Sequence, residues 1–163
     1  MAETLSPAQR RELEALAIDG RILVDLGSRR SVDMTYTLAA DLYVGDVSSQ
    51  VYEFLVRPRP CLFVNAHDAA WEGSEDYAMW RFGPVVTPDC DIPEALALAF
   101  ATHDRFRAVQ MARTRSAFDG LAWTESGEPC FPGADPAAKA ADLVERYLGA
   151  AGQPAIARTS TAC

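Results

Sequence analysis

Three short apolar runs, Ile22 to Leu26, Leu42 to Val44 and Cys61 to Val64, are separated by segments with helical spacing. This alternation restricts the fold more than any other feature of the chain. Strands that alternate with helices pair in parallel, because each helix carries the chain back across the sheet to start the next strand in the same direction. The expected class is α/β, with a partial Rossmann-like parallel sheet and flanking helices. Pro84 to Thr87 is a candidate fourth strand.

The helical segments carry their own punctuation. Ser6-Pro7 ahead of Ala8 to Ala17 supplies an N-cap and a proline in the first turn, and Gly20 ends that helix. Further helices are expected over Val32 to Ala40, Ser49 to Val56, Pro93 to Thr102, Arg105 to Phe118 and Pro136 to Leu148, the last capped by Asp135. Asp119 to Gly133 reads as a loop. Residues 1 to 149 then form one domain, and residues 150 to 163, rich in small and polar side chains, form a flexible tail.

Composition removes several function classes. With 163 residues and 49% hydrophobic content the chain can bury one core without disulfides or metal. The net charge of −8, with arginines in scattered pairs among acids, argues against nucleic-acid binding. No apolar run reaches the roughly 20 residues of a membrane span, and Met1 to Arg11 lacks the basic-then-apolar plan of a signal peptide. The expected compartment is the cytoplasm, with attachment to the inner face of the membrane left open. The cysteines at 61, 90, 130 and 163 have no C-x-x-C spacing and read as reduced structural thiols. Neither a G-x-G-x-x-G nor a phosphate-binding G-x-x-x-x-G-K-[ST] is present, and the sole lysine is Lys139, so Walker-type ATP hydrolysis is excluded.

In a parallel sheet, ligands gather outside the carboxyl ends of the strands. Asp25, Gly27, Gly45, Asp46, Asn65 and His67 fall at such ends. The segment from Asp41 to Leu55 runs from strand through a tight turn into a helix that opens on Ser48 and Ser49. Free backbone N–H groups and the positive end of the helix dipole there favour an anion such as phosphate. The plainer alternative is an ordinary N-cap. Two serines alone bind weakly, so an arginine is needed. Arg29, which follows a strand end, is the first candidate, and Arg113 and Arg115 are others.

Other candidates are weaker. His67 beside Asp68 is a candidate general acid or base, against the alternative of a loop histidine bonded to backbone. His103-Asp104 reads as a charge at a helix C-terminus. Asp89-Cys90-Asp91 with His67 makes poor metal geometry, so no metal is expected. Trp71, Tyr77 and Trp80 either stack on a base or sugar or fold their loop onto the core, and the second reading is the stronger. Neither serine has an evident base, so a serine hydrolase is disfavoured.

The run Asp46-Val47-Ser48-Ser49-Gln50-Val51-Tyr52-Glu53-Phe54, followed by Arg59-Pro60-Cys61-Leu62-Phe63, resembles the Asp-x-Ser-Ser segment of CDP-glycerol glycerophosphotransferases, which build teichoic acid polymers. Asp33-Met34 to Ala40-Asp41 fits the same pattern upstream, and the match covers residues 20 to 66 best. The resemblance implies part of the C-terminal donor-binding domain of a glycosyltransferase-B fold, and a transferase in cell-surface polymer or glycan synthesis. It implies that Ser48 and Ser49, with Arg29, hold the donor diphosphate. Gly27 and Ser28 would lie beside the nucleotide, and Asp46 and Glu53 would meet nucleotide or donor hydroxyls. The ligand would be a CDP- or UDP-activated donor, with no cofactor.

The family's catalytic histidines and acceptor site belong to segments preceding this match, so the resemblance also implies catalysis that needs an N-terminal domain. In a sheet ordered 3-2-1-4-5-6, Ile22 to Leu26 would be strand 3, and two strands would be missing beside Leu42 to Val44. Either Ile22 to Leu26 pairs directly with Leu42 to Val44 in a smaller sheet, or another polypeptide fills the gap. The exposed apolar edge calls for cover by the first helix, by a second copy or by a missing-domain partner. The rival reading is a degenerate Rossmann-like interaction module without turnover.

Overall fold

Pro58-Arg59-Pro60 deprives the chain of helix-forming N–H groups just before Cys61-Leu62-Phe63-Val64, and the apolar run that follows becomes the central strand of the sheet. The computed structural model describes residues 5 to 133 and 135 to 151. Three parallel strands, β1 (Tyr43–Gly45), β2 (Cys61–Val64) and β3 (Val85–Val86), lie in the order β1-β2-β3. Tyr43 pairs with Cys61 and Gly45 with Phe63, while Phe63 pairs with Val85. Four short helices precede or connect them, α1 (Pro7–Glu14), α2 (Arg29–Val32), α3 (Thr35–Ala39) and α4 (Gln50–Phe54), and the long α5 (Ile92–Ala117) follows the sheet. A hairpin, β4 (Ala122–Trp123) and β5 (Pro129–Cys130), and α6 (Pro136–Ala151) complete the described chain.

The strands alternate between two apolar layers. Cys61 and Phe63 face Val51, Phe54 and Leu55 of α4 together with Trp80 and Phe82 of a 3₁₀ turn at Ala78–Phe82. Leu62 faces the other way, onto Ala95 and Ala99 of α5. Small residues at these two positions let α5 lie close to the sheet. Burying one large side chain is worth about 1.5–3 kcal/mol, so the largest share of stability sits around Phe54, Phe63, Trp80 and Phe82. The fold is thus mixed α/β with a three-stranded parallel sheet and flanking helices, as the alternation of runs predicts.

The amino-terminal edge of the sheet is held by polar groups. Arg59, only 8% exposed, donates to the carbonyls of Thr37 at 3.1 Å, Leu38 at 3.2 Å, Phe54 at 2.5 Å and also Ala40, with its guanidinium 3.8 Å above the Phe54 ring. Burial, and then the neighbouring Arg57, push its pKa down from the ordinary arginine value. One side chain therefore ties α3 and the entry to β1 to the end of α4, where a lysine could supply neither the planar fork nor the stacking face.

Several expected elements differ. Ile22 to Leu26 forms no strand: Ile18 and Ile22 make an isolated antiparallel bridge, and residues 23 to 25 run on without a partner. Apolar content was sufficient for a strand, but the Gly20 turn folds Ile22 back on Ile18 instead. The direct pairing with β1 is thus absent, and α1, expected as cover for the apolar edge, has no buried residue. The expected helix from Val32 to Ala40 is broken at Asp33-Met34. Asp33 Oδ1 accepts from the N–H and hydroxyl of Thr35, and Met34 takes a left-handed φ of 68°.

Pro93 to Thr102 and Arg105 to Phe118 are one continuous helix, because nothing in Thr102-His103-Asp104 interrupts its backbone ladder. The loop from Asp119 to Gly133 contains the β4–β5 hairpin, whose Trp123 Nε1 donates to Val56 O at 2.8 Å. The expected tail from residue 150 falls outside the described residues from 152 onward, and α6 itself extends to Ala151. No described helix is long and apolar enough to cross a membrane.

Candidate functional site

All three strands point the same way, so the residues that follow them share one edge. After β1 come Asp46 and Ser48, after β2 come Asn65, His67 and Asp68, and after β3 come Thr87 and Asp89. The opposite edge is occupied by Arg59, Trp123 and Gln110. The carboxyl edge is the usual position for a ligand in an open α/β sheet.

Ser48 and Ser49 divide the expected roles unequally. The helix begins at Gln50, and Ser49 at the cap position has helical φ and ψ of −63° and −18° and makes no side-chain cap bond. Ser48 caps instead, its Oγ accepting from Gln50 N–H at 3.3 Å. Ser48 N–H donates to Met79 Sδ at 3.2 Å, which seats the connection between β2 and β3 directly over the turn. Ser49 stays exposed. Tyr43 lies beside this turn: its pKa is raised chiefly by burial, against the lowering effect of a hydrogen bond with Ser48. Its hydroxyl occupies the space a Cβ at Gly45 would need, so the glycine leaves room for the ring at the end of β1.

Around the same edge, Asn65 clamps the turn after β2 by donating to Ala69 O at 3.0 Å and accepting from Ala69 N–H at 2.8 Å. A cavity of about 430 Å³ opens there, lined by Asn65, Asp68, Trp71 and Glu72 among others. His67 is exposed in this turn and has no hydrogen bond among the described residues. Asp68 takes a left-handed φ of 50°. Asp46 and Glu53 are both exposed, the first at the end of β1 and the second within α4.

Gly27, Ser28 and Arg29 lie elsewhere. They line a separate cavity of about 740 Å³ with Arg10 and Glu14 of α1, the stretch from Leu23 to Leu26, Arg30 and Tyr36. No residue of the serine turn takes part in it. Asp25 organises this loop: its Oδ1 accepts from Gly27 N–H at 3.0 Å and Ser28 N–H at 2.7 Å, and its Oδ2 from the Ser28 hydroxyl. The Ser28 hydroxyl and amide bonds hold the Asp25 carboxyl down at about 2. The grouping of Arg29 with Ser48 and Ser49 is therefore not found. The reason lies in the fold: the segment before Arg29 is no strand, so it brings nothing to the carboxyl edge.

The other arginine candidates are also committed away from the serines. Arg113 pairs with Glu75 at 3.6 Å, and Arg115 stands 5.6 Å from the Trp123 ring. Trp80 is buried, with Trp71 and Tyr77 packed against it at ring separations of 5.8 and 4.8 Å, so these aromatics fold their loop onto the core. Trp71 alone also lines the cavity at the carboxyl edge. His103 is not at a helix end: its Nε2 lies 3.2 Å from Gln110 Oε1 within α5. Among the described residues no group of three or more His, Cys, Asp or Glu is placed to hold a metal.

Met79 and Arg10 are the contributors that sequence reasoning missed. Neither belongs to a motif, and only the folding of a distant segment onto the turn or loop brings each into play. Comparisons with family models, with curated proteins and with solved structures found no match to this chain.

Proposed function

We propose that this chain is a nucleotide-diphosphate donor-binding domain of a transferase related to the glycerophosphotransferases and other glycosyltransferase-B enzymes. One observation carries the reading: Ser48-Ser49 follows a parallel strand at the open carboxyl edge, and the Ser49 amide and hydroxyl have no partner among the described residues. A diphosphate leaving group gains negative charge as its bond breaks, and fixed N–H and O–H donors stabilise that charge. The Asp46 carboxylate and Glu53 would orient hydroxyls of the donor, and the cavity beside Trp71 would receive its uncharged part. His67, exposed on the same edge, is the candidate acid or base, and the acceptor site would come from a further domain.

The experiment is a thermal-shift titration with CDP-glycerol, CDP, UDP and UDP-sugars. Stabilisation by at least one of them, lost in Ser49→Ala with the unliganded melting temperature unchanged, supports the reading. No stabilisation by any of them at millimolar concentration refutes it. A second reading, an interaction module without turnover, is favoured by α6, where Leu143, Val144, Tyr147 and Leu148 form an exposed apolar stripe at helical spacing.

A further inference from the structure

The cavity at Arg10, Arg29 and Arg30 has a charge character opposite to that of the molecule. The chain carries a net charge of −8, yet three arginines line one concavity, and among the described residues none of the three is in an ion pair. Two carboxylates also border it. Asp25 is occupied by Gly27 N–H, Ser28 N–H and the Ser28 hydroxyl, so its oxygens serve the loop. Glu14, one turn after Arg10 on α1, is the remaining acid.

The guanidiniums are presented by anchored backbone. Asp25 fixes the turn from Gly27 to Ser28, and the Ser28 hydroxyl in turn accepts from Arg30 N–H at 3.2 Å, which starts α2. Arg29 and Arg30 are thus held at the start of a helix whose preceding loop is closed by three hydrogen bonds to one side chain. Arg10 arrives from α1, whose own start is closed by the reciprocal bonds of Ser6 and Gln9. At about 740 Å³ the space falls in the range of small-molecule sites. Guanidinium forks match the oxygens of phosphate two at a time.

We propose that this cavity is a second anion site, taking a phosphate-bearing small molecule with two or more negative charges through Arg10, Arg29 and Arg30. The site is distinct from the Ser48-Ser49 turn, shares no residue with it, and stands whether or not that turn binds a donor. Phosphate here could belong to free pyrophosphate or to a nucleotide, and the two are separated by titrating pyrophosphate, CDP and cytidine in parallel.

Calorimetric titration of the full chain with pyrophosphate is the test. Binding is expected to be saturable, weakened by rising salt, and reduced about tenfold or more in Arg10→Gln/Arg29→Gln/Arg30→Gln. The single variant Arg10→Gln, on a helix that buries no residue, is expected to weaken it measurably without changing the circular dichroism spectrum. Ser48→Ala/Ser49→Ala is expected to leave pyrophosphate affinity intact. In the Ser48→Ala/Ser49→Ala background, where the serine turn no longer contributes, CDP tighter than pyrophosphate assigns the phosphate to a nucleotide, and pyrophosphate equal or tighter assigns it to the free anion; either supports the site. No pyrophosphate or CDP binding, equal affinity in the triple variant, or equal loss in the serine variant overturns it.

Discussion

The side-chain amide of Gln110 donates to the carbonyl of Arg59 at 3.0 Å and to that of Phe82 at 2.8 Å. Arg59 leads into β2 and Phe82 into β3, so one fully buried carboxamide on α5 bridges the entrances of two neighbouring strands. His103 completes the arrangement by meeting Gln110 Oε1. Replacing Gln110 by leucine keeps the volume and strips two buried carbonyls of a donor. The expected loss is about 1–3 kcal/mol for each carbonyl left unpaired, read as a lower urea midpoint with unchanged m-value.

Gly83 is the tightest backbone approach in the sheet. A Cβ there would stand 2.1 Å from the carbonyl oxygen of Cys61, which is backbone and cannot swing aside. Gly83→Ala is therefore expected to destabilise by about 1–3 kcal/mol or more through overpacking, whereas Gly73→Ala, with nothing near its Cβ, is strained only by its φ of 81°. Thermal denaturation of the two variants ranks them.

Burial pushes the Cys61 thiol up to about 12. The unfolded thiol ionises near 8.5, so above that pH the unfolded state releases a proton that the folded state keeps. The contribution is whole below the unfolded value and is lost as pH rises towards the folded one, at up to about 1.4 kcal/mol per pH unit. Denaturation midpoints should fall from pH 8.5 upward, and less steeply in Cys61→Ala. Native-state alkylation at neutral pH should mark Cys90 and Cys130, both half-buried, ahead of Cys61.

The Asp25 carboxyl is held at about 2 chiefly by the Ser28 hydroxyl. The sign is opposite to that of Cys61. Order in the loop from Asp25 to Ser28 is present above the ordinary aspartate value and is lost as pH falls towards 2. Ser28→Ala should raise the Asp25 pKa towards the ordinary value, visible in its carboxyl carbon shift during an NMR titration. An unchanged titration curve would remove the Ser28 bond as the cause.

The legible part of the fold was the part governed by short-range rules. Pro58 and Pro60 frame β2, whose bounds at Cys61 and Val64 match the apolar run, and alternation of Cys61, Leu62 and Phe63 between two apolar layers follows from strand geometry. Ser6-Pro7 and Asp135 mark helix starts, because capping needs only residues within one turn. Ile22 to Leu26 departs from its strand pattern, since an apolar run becomes a strand only if a partner lies beside it, and partner choice is not a local property. The break at Asp33-Met34 came from one side chain bonding its neighbour's amide, which propensity weighs too lightly.

The α/β class, the parallel direction of the strands and the placing of Ser48-Ser49 at a strand end are legible along the chain, because each follows from periodicity and turn chemistry within a few residues. Which groups meet is a property of the folded core. It set Met79 on Ser48, Gln110 between Arg59 and Phe82, and Arg29 beside Arg10 and away from the serines. Those meetings depend on how separate segments pack, and packing is chosen by the whole core at once.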